Sequence, residues 1–198
     1  MDKNSKKPIE VYIFTGFVGS GKTTVLNQLL RSEQILSTQP ALIINEFGPL
    51  GVDGALVEKQ NLTRYEINKG SIFCICTKTD FLKALAQIAE DGRHRTVLIE
   101  ATGIAETCDI ESFMDAPHIT DAFEVCGNLC VVDALDFTRV AAYLKPARTQ
   151  VYTADALIIN KCDRVDDGAL AALGELLKTL NPAAVRVYTE YGKMDPHL

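Results

Sequence analysis

The sequence predicts an α/β fold, namely a doubly wound, mostly parallel sheet flanked by helices. Short apolar runs rich in β-branched residues, such as 41–44 and 156–159, alternate with amphipathic helical patterns, of which 168–180 is the clearest. Polar or glycine-rich segments follow directly after several of these runs, and ligands of open α/β sheets bind at the carboxyl ends of the strands. We therefore expect a protein that binds its ligand in loops at one edge of a parallel sheet.

The composition is that of an ordinary globular protein. Of the 198 residues, 47% are hydrophobic and 23% are charged, and the net charge is -6. We expect residues 1–8 to be a polar N-terminal arm and residues 9–198 to form one domain. The sequence has no dense basic stripe, membrane-length apolar run or signal peptide, so we expect a cytoplasmic protein that binds neither nucleic acid nor membranes. Its six cysteines are then expected to be reduced.

The first site motif lies between a predicted strand and a predicted helix. Segment 16–24 fits the phosphate-binding pattern G-x-x-x-x-G-K-[ST]. Residues 9–14 are rich in β-branched and aromatic side chains, and apolar residues recur at helical spacing over 25–30. Because the order strand, loop, helix is the one the pattern requires, we prefer it to an accidental glycine-rich turn. The residues expected to bind phosphate are Gly16, Gly19, Ser20, Gly21, Lys22, Thr23 and Thr24.

The fixed positions of this loop have chemical reasons. Glycines allow the backbone to curl so that successive N–H groups form a cradle for an anion. The helix that follows adds its N-terminus, where unpaired N–H groups and the helix dipole favour phosphate. Lys22 supplies a cation for the β- and γ-phosphates, and the hydroxyl of Thr23 can bind Mg²⁺.

The second site motif is Asn160-Lys161-Cys162-Asp163, directly after the apolar run 156–159. An aspartate carboxylate presents two acceptors side by side, and guanine presents two adjacent N–H donors where adenine cannot match them. A buried polar site of this kind rejects the wrong base strongly. We expect Asn160 to tie this loop to the phosphate loop and the Lys161 stem to lie along the base. The alternative is a charged loop that fits the pattern by chance.

Two further strands are predicted to end in acidic segments. The run 41–44 leads into a loop over 45–54 that contains three glycines, a proline and two acids. This loop can orient a water molecule or hold a cation, and the alternative is an ordinary turn with solvated acids. The run 96–99 ends in Glu100, where phosphate-loop enzymes commonly place a carboxylate near Mg²⁺ or the attacking water. Gly103 follows in a tight turn whose N–H can approach the γ-phosphate.

The cysteines allow two interpretations. Cys74 and Cys76 are two residues apart, so in extended backbone both thiols would face the same side, which suits zinc or another borderline metal. Two sulfurs do not complete a tetrahedral site, so a third ligand would come from elsewhere. The alternative is two buried thiols in an apolar strand, and the spacing leaves both interpretations open. Cys126 and Cys130 we interpret as core thiols.

The rest of the chain continues the alternation of strands and helices. Residues 104–126 show no clear pattern. The further predicted strands are 63–67, 129–132 and 185–188, and the further predicted helical segments are 81–92, 135–143 and 147–153.

Taken together, these residues resemble the CobW-like GTPases, relatives of the HypB and UreG nickel-insertion GTPases. The matching segments are 16–24, 45–48 with Asp53, 100–103, 131–134, 160–163 and 191–195. The resemblance extends from about residue 9 to the end. It implies a P-loop NTPase fold and a Mg²⁺-dependent GTPase that binds GTP and GDP. It also implies delivery of a transition metal, zinc or cobalt, to a client metalloprotein.

The resemblance implies roles for individual residues. Thr23 would bind Mg²⁺ and Asp163 would read guanine, while Glu46 and Asp53 would lie in a switch loop that senses the γ-phosphate. The catalytic residues implied are Lys22, Glu46 and Glu100. The nucleotide contacts implied are the phosphate loop, Gly103, Asn160, Lys161 and Asp163, and the metal ligands implied are Thr23, Glu46, Asp53, Cys74 and Cys76.

Two departures from the family pattern affect these expectations. The family usually carries Cys-x-Cys-Cys after a glycine, whereas here Gly70 is followed by Ser-Ile-Phe-Cys-Ile-Cys-Thr, so one sulfur is lost or displaced. Members usually continue into a smaller C-terminal domain, and because this sequence stops at Leu198 we expect that domain to be absent. A homodimer that depends on metal or GTP stays open, with Cys74 and Cys76 acting in one molecule or across its interface.

Two other functions compete with a metal-delivering GTPase. A small-molecule kinase would use the same phosphate loop, but it would need no guanine-reading segment such as 160–163. A nucleotide-dependent scaffold with little turnover would bind a partner in one nucleotide state, and no arginine finger or catalytic glutamine stands out in the sequence to argue against it.

Overall fold

The computed structural model describes residues 7–44, 62–67, 75–103, 114 and 117–194, with the side chains of 75–77 and 117–118 excepted. Within these residues the chain forms one sheet of seven parallel strands in the order β3-β2-β4-β1-β5-β6-β7. The strands are β1 Ile9–Thr15, β2 Ala41–Ile44, β3 Thr63–Glu66, β4 Thr96–Glu100, β5 Phe123–Asp133, β6 Ala156–Asn160 and β7 Val185–Tyr188. The predicted doubly wound parallel fold is confirmed.

Helices cover both faces of this sheet. In chain order they are α1 Lys22–Leu29, α2 Glu33–Ser37, α3 Ile75–Asp91, α4 Pro117–Thr120, α5 Phe137–Tyr143, α6 Lys145–Tyr152 and α7 Asp167–Leu180, with a 3₁₀ turn at Cys162–Arg164. Because the helices shield the central strands on both sides, β2 and β4 are buried at every position and β6 at all but its first. This explains why these strands are continuous apolar runs in the sequence.

The side chains of β1 alternate between the two helical layers. Val11 and Ile13 pack with Phe81, Leu85 and Ile88 of α3 on one face. On the other face, Phe14 packs with Val25, Leu26 and Leu29 of α1 and with Leu30, which follows its end. A third cluster joins β5 and β6 to α5, α6 and α7. No helix among the residues described is long and apolar enough to cross a membrane.

The direction in which the chain progresses across the sheet reverses at β1. The chain first builds β2, β3 and β4 on one side of β1 and then β5, β6 and β7 on the other. At such a point the loops after adjacent strands diverge and leave a crevice at their carboxyl ends. The loop after β1 therefore lies between Glu100, at the end of β4, and Asp133, at the end of β5.

Two sequence-based expectations about the cysteines are wrong. Helix α3 begins at Ile75, so Cys76 lies in helical backbone, and the same-side geometry expected for two thiols of a strand does not apply. Strand β5 begins at Phe123 instead of 129, because its first residues pair with β1 while β6 pairs only from Leu129 onward. Cys126, in the part not covered by β6, is exposed and is not a core thiol, whereas Cys130 is buried as expected.

Candidate functional site

The loop after β1 has the backbone that its glycines allow. Gly16, Gly19 and Gly21 all have positive φ, of 132°, 80° and 100°. A Cβ on Gly16 would collide with the carbonyl oxygen of Val131 on β5, and a Cβ on Gly21 would collide with the side-chain amide of Asn160. Only glycine permits both the conformation and the close approach, so the loop is held between β5 and β6. Helix α1 starts directly after it.

Lys22 lies inside the curve of this loop. Its side chain is buried, and Nζ donates to the carbonyl oxygens of Gly16 at 3.0 Å and Phe17 at 3.4 Å. The ammonium group therefore sits at the start of the loop, and the N-terminus of α1 lies at the loop's other end. Positive charge and helix N–H groups together favour an anion at this place.

Thr23 and Glu100 bring two hard oxygen atoms together. The Thr23 hydroxyl donates to Oε1 of Glu100 at 2.6 Å, although the two residues are 77 positions apart. Glu100 is only 1% exposed at the end of β4. Neighbouring oxygen ligands of an octahedral Mg²⁺ site lie about 3 Å apart. A small separation of the two side chains would reach that spacing, so this donor set fits Mg²⁺.

The turn after β4 packs directly on the phosphate loop. A Cβ on Gly103 would collide with the backbone of Val18, so glycine is needed for this contact. Nε2 of Gln150, a residue of α6 that is 1% exposed, donates to the carbonyl oxygen of Gly103 at 3.3 Å. Sequence reasoning missed Gln150, because nothing in the local pattern of α6 indicates a partner 47 residues earlier.

Asn160 connects three segments at the end of β6. Its Nδ2 donates to the carbonyl oxygen of Ser20 at 3.1 Å, and its Oδ1 accepts the backbone N–H of Gly192 at 3.0 Å. The side chain is buried, so both hydrogen bonds are shielded from water. This is the expected tie between the 160–163 segment and the phosphate loop, and the contact to Gly192 extends it to the segment after β7.

Lys161 is held in place by two oxygen atoms. Its backbone is left-handed, with φ of 64°, and its Nζ contacts the carbonyl oxygen of Gly19 at 2.7 Å and Oδ2 of Asp133 at 2.6 Å. Sequence reasoning did not assign Asp133 to the site, although the residue ends an apolar strand just as Glu100 does. That position at the carboxyl edge was the available signal.

A cavity of about 210 Å³ lies beside Asp163. Its lining residues come from the start of α1 and from the loops after β6 and β7, and they are Gly21, Thr24, Asn160, Lys161, Asp163, Arg164 and Tyr191. Lys161 also lines a larger cavity of about 270 Å³, whose walls are mostly apolar and include Phe17, Val18, Phe137 and Val140. The smaller cavity therefore combines a carboxylate, an amide and a flat aromatic side chain.

The buried thiol of Cys130 lies in the wall of the larger cavity. Burial raises its pKa to about 12, against smaller opposing effects of the Thr15 hydroxyl and the Lys22 ammonium. A neutral thiol at physiological pH is a poor metal ligand and a poor nucleophile. Cys130 is therefore a packing residue at the base of the site.

The metal-binding expectations fall largely outside the residues described. Glu46, Asp53 and Cys74 lie in segments 45–61 and 68–74, and only the backbone of Cys76 is described. In the part of the chain that the structure covers, no group of three or more His, Cys, Asp or Glu side chains is placed to hold a metal ion.

Comparison with known proteins shows which family this chain resembles. The model of the CobW/HypB/UreG nucleotide-binding domain matches residues 10–187. The zinc chaperone YeiR of Escherichia coli is 30% identical over 187 residues, covering 94% of this chain and 56% of YeiR. The zinc-regulated GTPase metalloprotein activator 1 of Schizosaccharomyces pombe is 28% identical over 199 residues, covering 95% of this chain and 47% of that protein.

A solved structure shows the same similarity. The crystal structure of zinc-bound YjiA GTPase from E. coli superposes with a TM-score of 0.74 at 25% identity, covering 96% of this chain and 60% of YjiA. This chain spans about half the length of the two related sequences. Since the family model covers nearly the whole sequence, the chain belongs to the CobW/HypB/UreG nucleotide-binding domain family.

Proposed function

We propose that this chain is a Mg²⁺-dependent GTPase whose nucleotide state controls the binding of a transition metal, zinc in the first place, and its delivery to a client metalloprotein. The observation that carries the nucleotide half is the bridge made by Asn160. This side chain fastens the segment of Asp163 to the phosphate loop, so that base recognition and phosphate binding belong to one continuous site.

Guanine is read in the cavity beside Asp163. The carboxylate of Asp163 accepts from the two adjacent N–H groups of guanine, which adenine does not offer. The Lys161 side chain, held by Gly19 and Asp133, lies along the cavity wall and contacts the base through its methylene groups. The larger cavity is also lined by two carboxylates, but Asp133 is paired with Lys161 and Asp136 with Arg139, and we assign no base to it.

Hydrolysis takes place at the other end of the site. Thr23 and Glu100 would hold Mg²⁺, which would neutralise charge on the β- and γ-phosphates. Lys22 turns from the loop carbonyls to the phosphate oxygens, and Gly103 presents its N–H beside Val18. Water attacks the γ-phosphorus, the bond to the β–γ bridging oxygen breaks, and GDP and phosphate leave. On sequence grounds Glu46 is the residue that orients the water.

The metal half of the proposal rests on the relatives and on the cysteines. The two similar proteins are a zinc chaperone and a zinc-regulated activator, and the similar crystal structure holds zinc. We propose Cys74 and Cys76 as ligands, with Glu46 and Asp53 in the segment that senses the γ-phosphate. If GTP tightens metal binding, metal must tighten GTP binding by the same factor.

The proposed recognition of guanine is tested by replacing the carboxylate of Asp163 with an amide. An Asp163→Asn variant loses two charge-assisted acceptors, each worth about 1.5 kcal/mol or more, so its affinity for GDP should fall by about 100-fold. Because the new amide can donate to the 2-carbonyl of xanthine, binding of xanthosine diphosphate should improve. Isothermal titration calorimetry with both nucleotides measures this. If the variant binds GDP as tightly as wild type, Asp163 does not contact the guanine base.

The metal half is tested by titrating zinc in the presence of GDP and of a non-hydrolysable GTP analogue. Wild type should bind zinc at least tenfold more tightly with the analogue, and a Cys74→Ser/Cys76→Ser variant should lose this difference. Cys126→Ser is the matched control, because Cys126 is exposed on β5 and belongs to no site described above. Equal zinc affinities of wild type with both nucleotides would refute the coupling.

A further inference from the structure

Tyr191 has an unusual backbone for a large aromatic residue. Its φ is 54°, a left-handed value that bulky side chains rarely adopt. Among the non-glycine residues that the structure describes, Gln39, Lys161 and Tyr191 have positive φ, and the last two both line the cavity beside Asp163. Residues held in such conformations cluster at functional sites. Two of these three residues therefore line one cavity, and the packing around that cavity fixes the direction of their side chains.

The turn that carries Tyr191 is fixed on both sides. The next residue, Gly192, donates its N–H to Oδ1 of Asn160 at 3.0 Å and packs so closely on the backbone of Thr24 and Val25 that a Cβ would crowd it. The Thr189 hydroxyl donates to the carbonyl oxygen of Lys193 at 2.6 Å across the turn. These contacts tie the turn to the start of α1 and to the 160–163 segment, so Tyr191 is presented on a rigid support.

The Tyr191 side chain itself is 63% exposed and yet lines the cavity. A flat base needs contacts on its faces as well as on its hydrogen-bonding edge, and an aromatic ring supplies such a contact without base specificity. Lys161 provides methylene groups at the same cavity. Arg164 lines it too, and a guanidinium plane can also stack on a base.

We propose that Tyr191 stacks on the guanine base whose edge Asp163 reads, and that it is the main aromatic contact of the nucleotide. This inference rests on the proposed guanine-nucleotide site and names a residue that determines its affinity. Tyr191 closes a face of the base, and ordering of its exposed ring accompanies nucleotide binding.

The first test measures affinity for GDP by isothermal titration calorimetry. Base–aromatic stacking of about 1–3 kcal/mol predicts that Tyr191→Ala weakens GDP binding about 5- to 150-fold. Tyr191→Phe keeps the ring and should bind within twofold of wild type. The matched control is Tyr152→Ala, since Tyr152 is 73% exposed at the end of α6 and lines none of the cavities described. Arg164→Ala should have a smaller effect than Tyr191→Ala.

The second test uses the absence of tryptophan from the sequence. A Tyr191→Trp variant has a single indole, whose fluorescence a stacked guanine should quench when GDP is added and not when ADP is added. A Tyr152→Trp variant should show no change with either nucleotide. This readout depends on proximity of the ring to the base and is not moved by a loss of stability elsewhere.

The outcomes distinguish failure of the stacking role of Tyr191 from failure of the proposed nucleotide site. If wild type binds GDP, Tyr191→Ala binds as tightly and Tyr191→Trp is not quenched, then the stacking role is refuted while the proposed nucleotide site stands. If Arg164→Ala causes the larger loss, the guanidinium and not the ring is the stacking partner, and the inference is likewise wrong. If wild type binds no guanine nucleotide, the proposed function itself fails and this inference fails with it.

Discussion

The phosphate end and the base end of the site are built in different ways. At the phosphate end, most of the expected groups come from one stretch of nine residues, 16–24, and Glu100 adds a single carboxylate. At the base end, the contacts join segments far apart in sequence, with Asn160 reaching Ser20 over 140 positions and Lys161 reaching Asp133 over 28. The first depends on local backbone geometry and the second on the packing of β5, β6 and the segment after β7.

Because the two ends are built differently, substitutions at them should have different effects. Loss of a group at the phosphate end removes charge from the reacting atoms and should change turnover more than binding. Loss of a group at the base end loosens a support between loops and should change binding together with stability. The substitutions below are chosen to separate these two patterns, in order of decreasing expected effect.

The largest effect is expected for Glu100→Gln. The amide oxygen can still accept from the Thr23 hydroxyl, so the fold should be kept, but the charge that the proposed site would offer to Mg²⁺ is lost. We expect single-turnover GTP hydrolysis to slow by about 100- to 1,000-fold, by analogy with removal of one preorganised charge-stabilising group. Affinity for GDP without Mg²⁺ should stay within twofold of wild type.

Glu175→Gln is the control for this substitution, because Glu175 is an exposed acid on α7. It should hydrolyse GTP at the rate of wild type. A Glu100→Gln variant that hydrolyses GTP within threefold of wild type would contradict the role of this carboxylate. A variant that instead loses GDP affinity without Mg²⁺ would show that the phosphate end supports binding in the same way as the base end.

An intermediate effect is expected for Asn160→Ala. Two buried hydrogen bonds, to Ser20 and from Gly192, are lost, which should lower the free energy of unfolding by about 2 kcal/mol. Because the loops they join are released, GDP affinity should fall at least tenfold. Urea denaturation measures the first quantity and calorimetry the second.

The chain offers a matched control in Asn181→Ala. Asn181 is also a buried asparagine, and its amide donates to the carbonyl oxygens of Val151 and Ala154 at the opposite edge of the sheet. Asn181→Ala should lower the free energy of unfolding by at least as much as Asn160→Ala does. It should leave the affinity for GDP within twofold of wild type. If both variants lose GDP affinity in proportion to their loss of stability, Asn160 has no specific role in nucleotide binding. The stated difference between the two ends of the site is then wrong.

The smallest effect is expected for Asp133→Asn. Lys161 keeps the Gly19 carbonyl but loses its ionic partner, and since the pair is partly exposed we expect a three- to tenfold loss of GDP affinity. Asp136→Asn is the control, because its ion pair with Arg139 is exposed on both sides and should contribute nothing measurable. If the two variants bind GDP with equal affinity, Asp133 does not support nucleotide binding through Lys161.

Elements with a strong local pattern were predictable from the sequence. The runs that form β2, β4 and β6 are buried on both faces and therefore apolar throughout, and α7 shows its apolar stripe and ends before Pro182. Elements whose environment changes along their length were not. The first half of β5 mixes apolar and polar residues, and residues 124–126 are exposed where β6 does not cover them. The start of α3 near Cys76 carries no helical periodicity that distinguishes it from a strand.

The sequence by itself predicted the fold class, which the structure confirms. It also predicted the phosphate-loop and guanine-type motifs, because each motif depends on the spacing of residues within a short stretch, and the roles of their residues stay predictions. Only the tertiary structure decided which side chains support them. Asp133 on Lys161, Gln150 on Gly103 and Tyr191 beside Asp163 meet through strand order and helix packing. Such contacts join positions tens of residues apart and leave no periodic signal in the chain, since a partner across the sheet is specified by the packing of the whole domain.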